Sequence, residues 1–147
     1  MGYTLAPITG LVIANSGVTC MARLCGAGGA LVTQASISSI GYAIRDLTDG
    51  ETDSASTLTV SSVIYDSLQQ TDPRWTKDSA IALGKDGRWG YNFLNTFAAT
   101  LFTDFDMDAT TKIVTPHKFQ VNIWFTPASG QKFHVPFQFT PIPVWET

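Results

Sequence analysis

Few side chains in this sequence are equipped for chemistry. Asp104, Asp106 and Asp108 alternate, so along an extended segment their carboxylates would share one face, as the oxygen ligands of a calcium ion must. Taken as an EF-hand loop starting at Asp104, the segment has Ala109 at the sixth position and Thr115 at the twelfth, where that loop needs Gly and Glu. A solvated acidic turn is the expectation, with a cation bridge outside the EF-hand pattern as the alternative.

His117 and His134 are the only histidines, and Cys20 and Cys25 the only cysteines, so no standard zinc ligand set is present. No Gly-x-Ser-x-Gly elbow accompanies either histidine. Glu51 and Glu146 sit in a polar stretch and near the terminus, which leaves a glycosidase carboxylate pair without candidates. The glycines at 26, 28 and 29 lack the Lys-Ser/Thr and the following helix of a phosphate loop, so they predict a turn. The sequence thus predicts no catalytic residue, no metal site and no cofactor, and a chain that is not an enzyme.

Aromatic residues offer binding chemistry instead. Trp75, Trp89, Tyr91, Trp124 and Trp145 could line a platform on which sugar rings stack, as in carbohydrate-binding β-sandwich modules. The competing expectation is that Trp124 covers the polar face of a hairpin while Trp75 and Trp89 anchor a loop.

These residues need a scaffold, and Lys118 to Thr140 states it most clearly. Phe119, Val121, Ile123 and Phe125 alternate with Gln120, Asn122 and Trp124; after a Pro-Ala-Ser-Gly turn the alternation resumes at Phe133, Val135, Phe137 and Phe139. That is a β-hairpin with one apolar face and with His134 opposite the phenylalanines. Because a two-stranded ribbon is marginal alone, the remaining chain must supply an opposing apolar layer.

Val18 to Leu24 alternates as a strand, and Ile40, Tyr42 and Ile44 give another, with a bulge expected between Ile37 and Ile40. Leu11 to Ala14 suggests a first strand. Asp46 to Ser54 is expected as a polar connection, and Thr57 to Ser61 as a strand running on into Val63, Ile64 and Tyr65. Asp66 to Trp89 has no clean period and reads as one long loop, with a helical turn conceivable at Asp78 to Leu83. Gly90 to Phe93 opens a further strand. About seven to eight strands separated by turn signals predict an all-β, immunoglobulin-like β-sandwich over residues 18–140, preceded by an apolar N-terminal arm, 1–17, and followed by a Pro-rich tail, 141–147.

Composition agrees. Charged residues make up 14% of the chain, well under the usual quarter, and the formal net charge is −3. The nine basic residues are scattered, which argues against nucleic-acid binding. No apolar run reaches membrane-spanning length, and the N-terminus lacks the basic residues of a signal peptide, so the chain is expected to fold in a cytoplasm. Cys20 and Cys25 are expected as two buried thiols.

Ile64-Tyr-Asp-Ser-Leu68 with Arg74-Trp75, Tyr91-Asn-Phe93, and Phe125-Thr-Pro-Ala-Ser-Gly130, in this order, resemble a family of small phage and prophage proteins encoded among virion structural genes. The resemblance covers roughly residues 18 to 140. In its members the Asp-Ser matching Asp78-Ser79 runs almost directly into Gly-Tyr-Asn-Phe, whereas here Ala80 to Trp89 intervenes. The resemblance implies a structural role without catalytic residues: an immunoglobulin-like module in a virion, made in the host cytoplasm. A capsid decoration or cement subunit is the first expectation and a tail or neck component the second. Its partners would be the major capsid protein or tail proteins and further copies of itself. Low charge and apolar arms suit such contacts, with Leu5, Ile8, Arg74, Trp75, Trp89 and Trp145 as interface candidates.

Overall fold

The computed structural model describes residues 8–13, 17–26, 28–69, 90–98 and 105–142, giving the backbone alone at 8–13, 53, 105–107, 114 and 142. The strands are β1 (Ile8–Ile13), β2 (Val18–Ala22), β3 (Ile37–Asp46), β4 (Glu51–Leu58), β5 (Ile64–Gln69), β6 (Tyr91–Phe97), β7 (Phe105–Met107), β8 (Val114–Pro116), β9 (Phe119–Pro127) and β10 (Phe133–Ile142). They form a five-stranded sheet in the order β1-β10-β9-β3-β4, a three-stranded sheet in the order β2-β6-β5, and a small β7-β8 hairpin. The protein is an all-β sandwich.

The expected hairpin is β9 and β10. Phe133 pairs with Phe125, Val135 with Ile123, Phe137 with Val121 and Phe139 with Phe119, so the apolar residues share one face in register. Phe119, Val121, Ile123 and Phe125 are fully buried. Gly130 in the connection has φ +106°, a conformation that costs glycine little and other residues much. β3 joins the other side of β9, setting Ile40 beside Phe125 and Ile44 beside Val121, and its register slips between Ile37 and Ser39, where the bulge was expected.

The opposing layer comes from β2, β5 and β6. Val18, Cys20 and Ala22 point inward from β2, and Phe93 and Phe97 from β6. Phe93 meets Phe125 edge-to-face with ring centroids 5.3 Å apart, and Phe97 meets Tyr42 at 5.0 Å, which locks one sheet onto the other.

Several local expectations fail for identifiable reasons. Asp46 to Ser54 is not one polar connection: the turn occupies Leu47 to Gly50, and β4 begins at Glu51. β4 ends at Leu58, and a single helical turn, α1 (Val60–Val63), carries the chain from the first sheet to the second. Thr57 to Ser61 is therefore not one strand. The described strands number ten rather than seven or eight, because β4 lacks an alternating apolar face and β7 and β8, at three residues each, are too short to stand out by their period. The first strand starts at Ile8 and runs parallel to β10 at the edge of the sheet, so that part of the apolar arm joins its own domain.

Leu47 is exposed at the start of the turn. Cys20 is buried, but Cys25 is exposed, since the chain reverses between its bridge to Leu31 and the Gly26–Ala30 hydrogen bond. Burial pushes the Cys20 thiol well above its ordinary range, which keeps it protonated and inert. The helical turn expected at Asp78 to Leu83 lies outside the described residues.

Candidate functional site

The period of β3 that sends Ile40, Tyr42 and Ile44 inward also sends Asp46 inward, where it is 1% exposed. A buried carboxylate needs partners. Its Oδ1 accepts the amides of Thr48 and Asp49 at 2.9 and 3.2 Å, which folds the turn around it. Its Oδ2 lies 2.6 Å from Nδ1 of His117, a buried residue between β8 and β9. Burial raises the Asp46 carboxyl, but the His117 hydrogen bond, the two turn amides and the charge of His117 outweigh it, so the group titrates below the usual carboxylate range. An ionised carboxylate can only accept, and His117 Nδ1 therefore carries the proton.

Two further hydrogen bonds complete the junction. The Leu47 amide donates to the Lys118 carbonyl at 2.7 Å, and the Lys118 amide donates to Thr48 Oγ1 at 3.0 Å. Asp49 Oδ2 lies 3.7 Å from the same His117 nitrogen and is about half exposed. The ligand atoms of Asp46, Asp49 and His117 all fall within 4.8 Å of one another, a nitrogen-and-two-oxygen set that could contact a divalent ion. Such an ion would have to replace the proton between His117 and Asp46 and take the oxygen that now accepts it. In its present form the group is a pin that ties the β3–β4 turn to the start of β9.

The second polar feature lies at the opposite end of the sandwich. Asn92 is fully buried at the start of β6. Its Oδ1 accepts the Leu24 amide at 2.7 Å, while its Nδ2 donates to the carbonyls of Leu24 and Val32 at 3.0 and 2.8 Å. One amide side chain thus closes the 24–32 loop. Asn92→Ala is expected to cost about 2 kcal/mol, since it strands a buried amide N–H and two carbonyls, and chemical denaturation would measure it.

The third feature is the outer face of the five-stranded sheet. Gly41, Trp124 and His134 form one row across β3, β9 and β10; Ala43, Asn122 and Pro136 form the next; Arg45, Gln120 and Gln138 form the third. A β-carbon on Gly41 would come within 2.4–2.5 Å of Nε1, Cε2 and Cζ2 of Trp124, so the indole edge lies directly over the glycine. Gly41→Ala is expected to drive the indole off β3 at a cost of about 1–2 kcal/mol, visible as a changed near-ultraviolet circular dichroism signal. The Asn122 amide nitrogen lies 3.1 Å from His134 Nδ1, and Gln138 Nε2 donates to Gln120 Oε1 at 2.9 Å.

The expected site residues divide as follows. Leu5, Arg74, Trp75, Trp89 and Trp145 lie outside the described residues, and Ile8 opens β1 beside Phe137. Tyr91 is buried edge-on against Tyr65 and cannot belong to an exposed platform, whereas Trp124 and His134 lie on the outer face as expected. Of the acidic triplet, Asp104 lies outside the described residues and Asp106 is placed only by its backbone in β7. Asp108 Oδ1 accepts the amides of Thr110 and Thr111 at 2.8 and 2.7 Å, the bond from Thr111 first among those that hold its carboxyl low. It builds a turn.

Among the described residues, three of the segments that carry the phage-protein resemblance, 64–68, 91–93 and 125–130, meet around the end of the sandwich that Asn92 closes; Arg74 and Trp75 lie outside the described residues. Ile64 is a core residue, and Asp66 accepts the Gln34 amide at 2.7 Å. Tyr91, Asn92 and Phe93 are buried in succession, and Ala128 in the hairpin connection donates its amide to the Ser36 carbonyl at 2.9 Å. Comparison of the chain with protein-family models, with curated proteins and with solved structures finds no match.

Proposed function

We propose that the protein is a non-enzymatic, immunoglobulin-like structural subunit of a phage or prophage virion, serving as a capsid decoration or cement protein. The observation that carries this reading is where the resembling residues sit. Ile64, Asp66, Tyr91, Asn92, Phe93, Phe125 and Ala128 are the positions that join the two sheets and fasten their connecting loops. A sequence likeness that includes such interlocking positions is what a shared scaffold would leave.

The strand order supports the immunoglobulin-like part. β1-β10-β9-β3-β4 over β2-β6-β5 has the arrangement in which the last two strands and the third share a sheet while the second pairs with the strands of the opposite one. The cysteine pair of antibody domains has no counterpart, since β9 offers no partner for Cys20. The buried His117–Asp46 pair favours a structural role too, because both groups are committed to holding a turn.

In this reading the subunit self-associates and binds the major capsid protein; a tail or neck position is the neighbouring possibility. Solution mass and co-sedimentation with purified particles of the encoding phage test it. An oligomer that sediments with capsids at a fixed ratio is the expected result. A strict monomer at high concentration that also stays in the supernatant overturns the reading.

A further inference from the structure

We propose that the outer face of the five-stranded sheet is a binding site for a neutral polysaccharide, with the Trp124 indole as its stacking platform and the paired amides along β9 and β10 as its hydrogen-bonding groups. The proposal stands independently of a virion location.

Three observations carry it. First, Gly41 lets the indole lie across β3 instead of standing away from the sheet, for any β-carbon there would collide with the ring. An indole laid down in this way offers a flat apolar surface, against which the C–H face of a pyranose packs. His134 flanks it, with ring centroids 6.3 Å apart at a 46° tilt, and the Asn122 amide fixes that imidazole.

Second, the Gln138–Gln120 amide pair lies further along the same face. A primary amide has two N–H donors and a carbonyl with two lone pairs, so one mutual bond leaves both donors and acceptors to offer. Sugar hydroxyls also donate and accept, and amides match them better than a one-signed charge does. Trp124 and Gln120 are four residues apart, roughly 13 Å along the strand, so a saccharide chain lying along β9 reaches both.

Third, the face is almost uncharged. Across the three rows Arg45 is the one charged residue, and its guanidinium is turned to the Gly50 carbonyl at 3.3–3.4 Å. Phosphate-bearing partners, whether nucleic acid or anionic lipid, would find no cationic patch there. An aromatic, amide-lined and nearly neutral surface fits an uncharged sugar polymer.

The test uses the full chain on an array printed with cellohexaose, laminarihexaose, maltohexaose and mannohexaose, followed by calorimetric titration of whichever is bound. At least one should bind, and Trp124→Ala should weaken it by roughly ten-fold or more, the effect of losing one stacked ring. The Gln120→Ala/Gln138→Ala double variant leaves the core untouched and should weaken binding similarly at an unchanged melting temperature. Binding to none of the four, or binding that both variants retain, overturns the proposal. So does a wild-type dimer that both variants split, which would make the face a contact between copies.

Discussion

Phe125→Ala is expected to lower the free energy of unfolding by about 4 kcal/mol. Phe125 is fully buried and touches both layers: Phe93 meets it edge-to-face across the sandwich, and Phe133 stacks on it at 5.0 Å from the neighbouring strand. Truncation removes the apolar area and leaves a cavity between two sheets that cannot collapse without shifting a strand. A domain of this size is stabilised by roughly 5–15 kcal/mol in total, so the variant should approach the unfolding threshold at ambient temperature. Urea denaturation measures the loss, and Phe125→Leu should recover most of it.

Asp46→Ala is expected to cost about 3–4 kcal/mol, because it leaves buried His117 without its carboxylate and the Thr48 and Asp49 amides without their acceptor. The pair also predicts a pH dependence. The Asp46 carboxyl is held below its unfolded value of about 3.9, so its contribution is fully present above that pH and is lost as pH falls through the folded value. Stability measured from pH 6 downward should therefore drop steeply in the acid range, and Asp46→Asn should flatten that drop while lowering stability near neutrality. An acid limb unchanged in Asp46→Asn would mean that other carboxylates govern it.

What the sequence disclosed depended on whether a segment carries a two-faced pattern. β9 and β10 do, because one side meets the core and the other does not, and alternation is then forced on every residue. β4 does not: its Ser and Thr side chains at the sheet edge are mostly exposed, and it is a strand only because its backbone pairs with β3. α1 is a four-residue corner of Val and Ser, types that favour no helix, and it exists because the chain must change sheets there.

The His117–Asp46 pin joins residues 71 apart in sequence, and no local spacing announces it. A signal was nevertheless present. The step of two from Ile40 through Tyr42 and Ile44 lands on Asp46, and an inward carboxylate demands a partner. The same reasoning placed Trp124 and His134 on the outer face from their positions opposite the phenylalanines. It could not foresee that Gly41 would lie beneath the indole, since that depends on the pairing of β3 with β9.

The proposed role as a virion decoration subunit is tested most directly by electron cryomicroscopy of particles from the phage or prophage that this reading requires, imaged with the gene for this chain intact and deleted. The difference map should contain sandwich-sized density repeated at symmetry-related positions on the outside of the shell, absent from the deletion particles. Shells and tails identical in the two maps, from particles whose protein content lacks this chain, would contradict it.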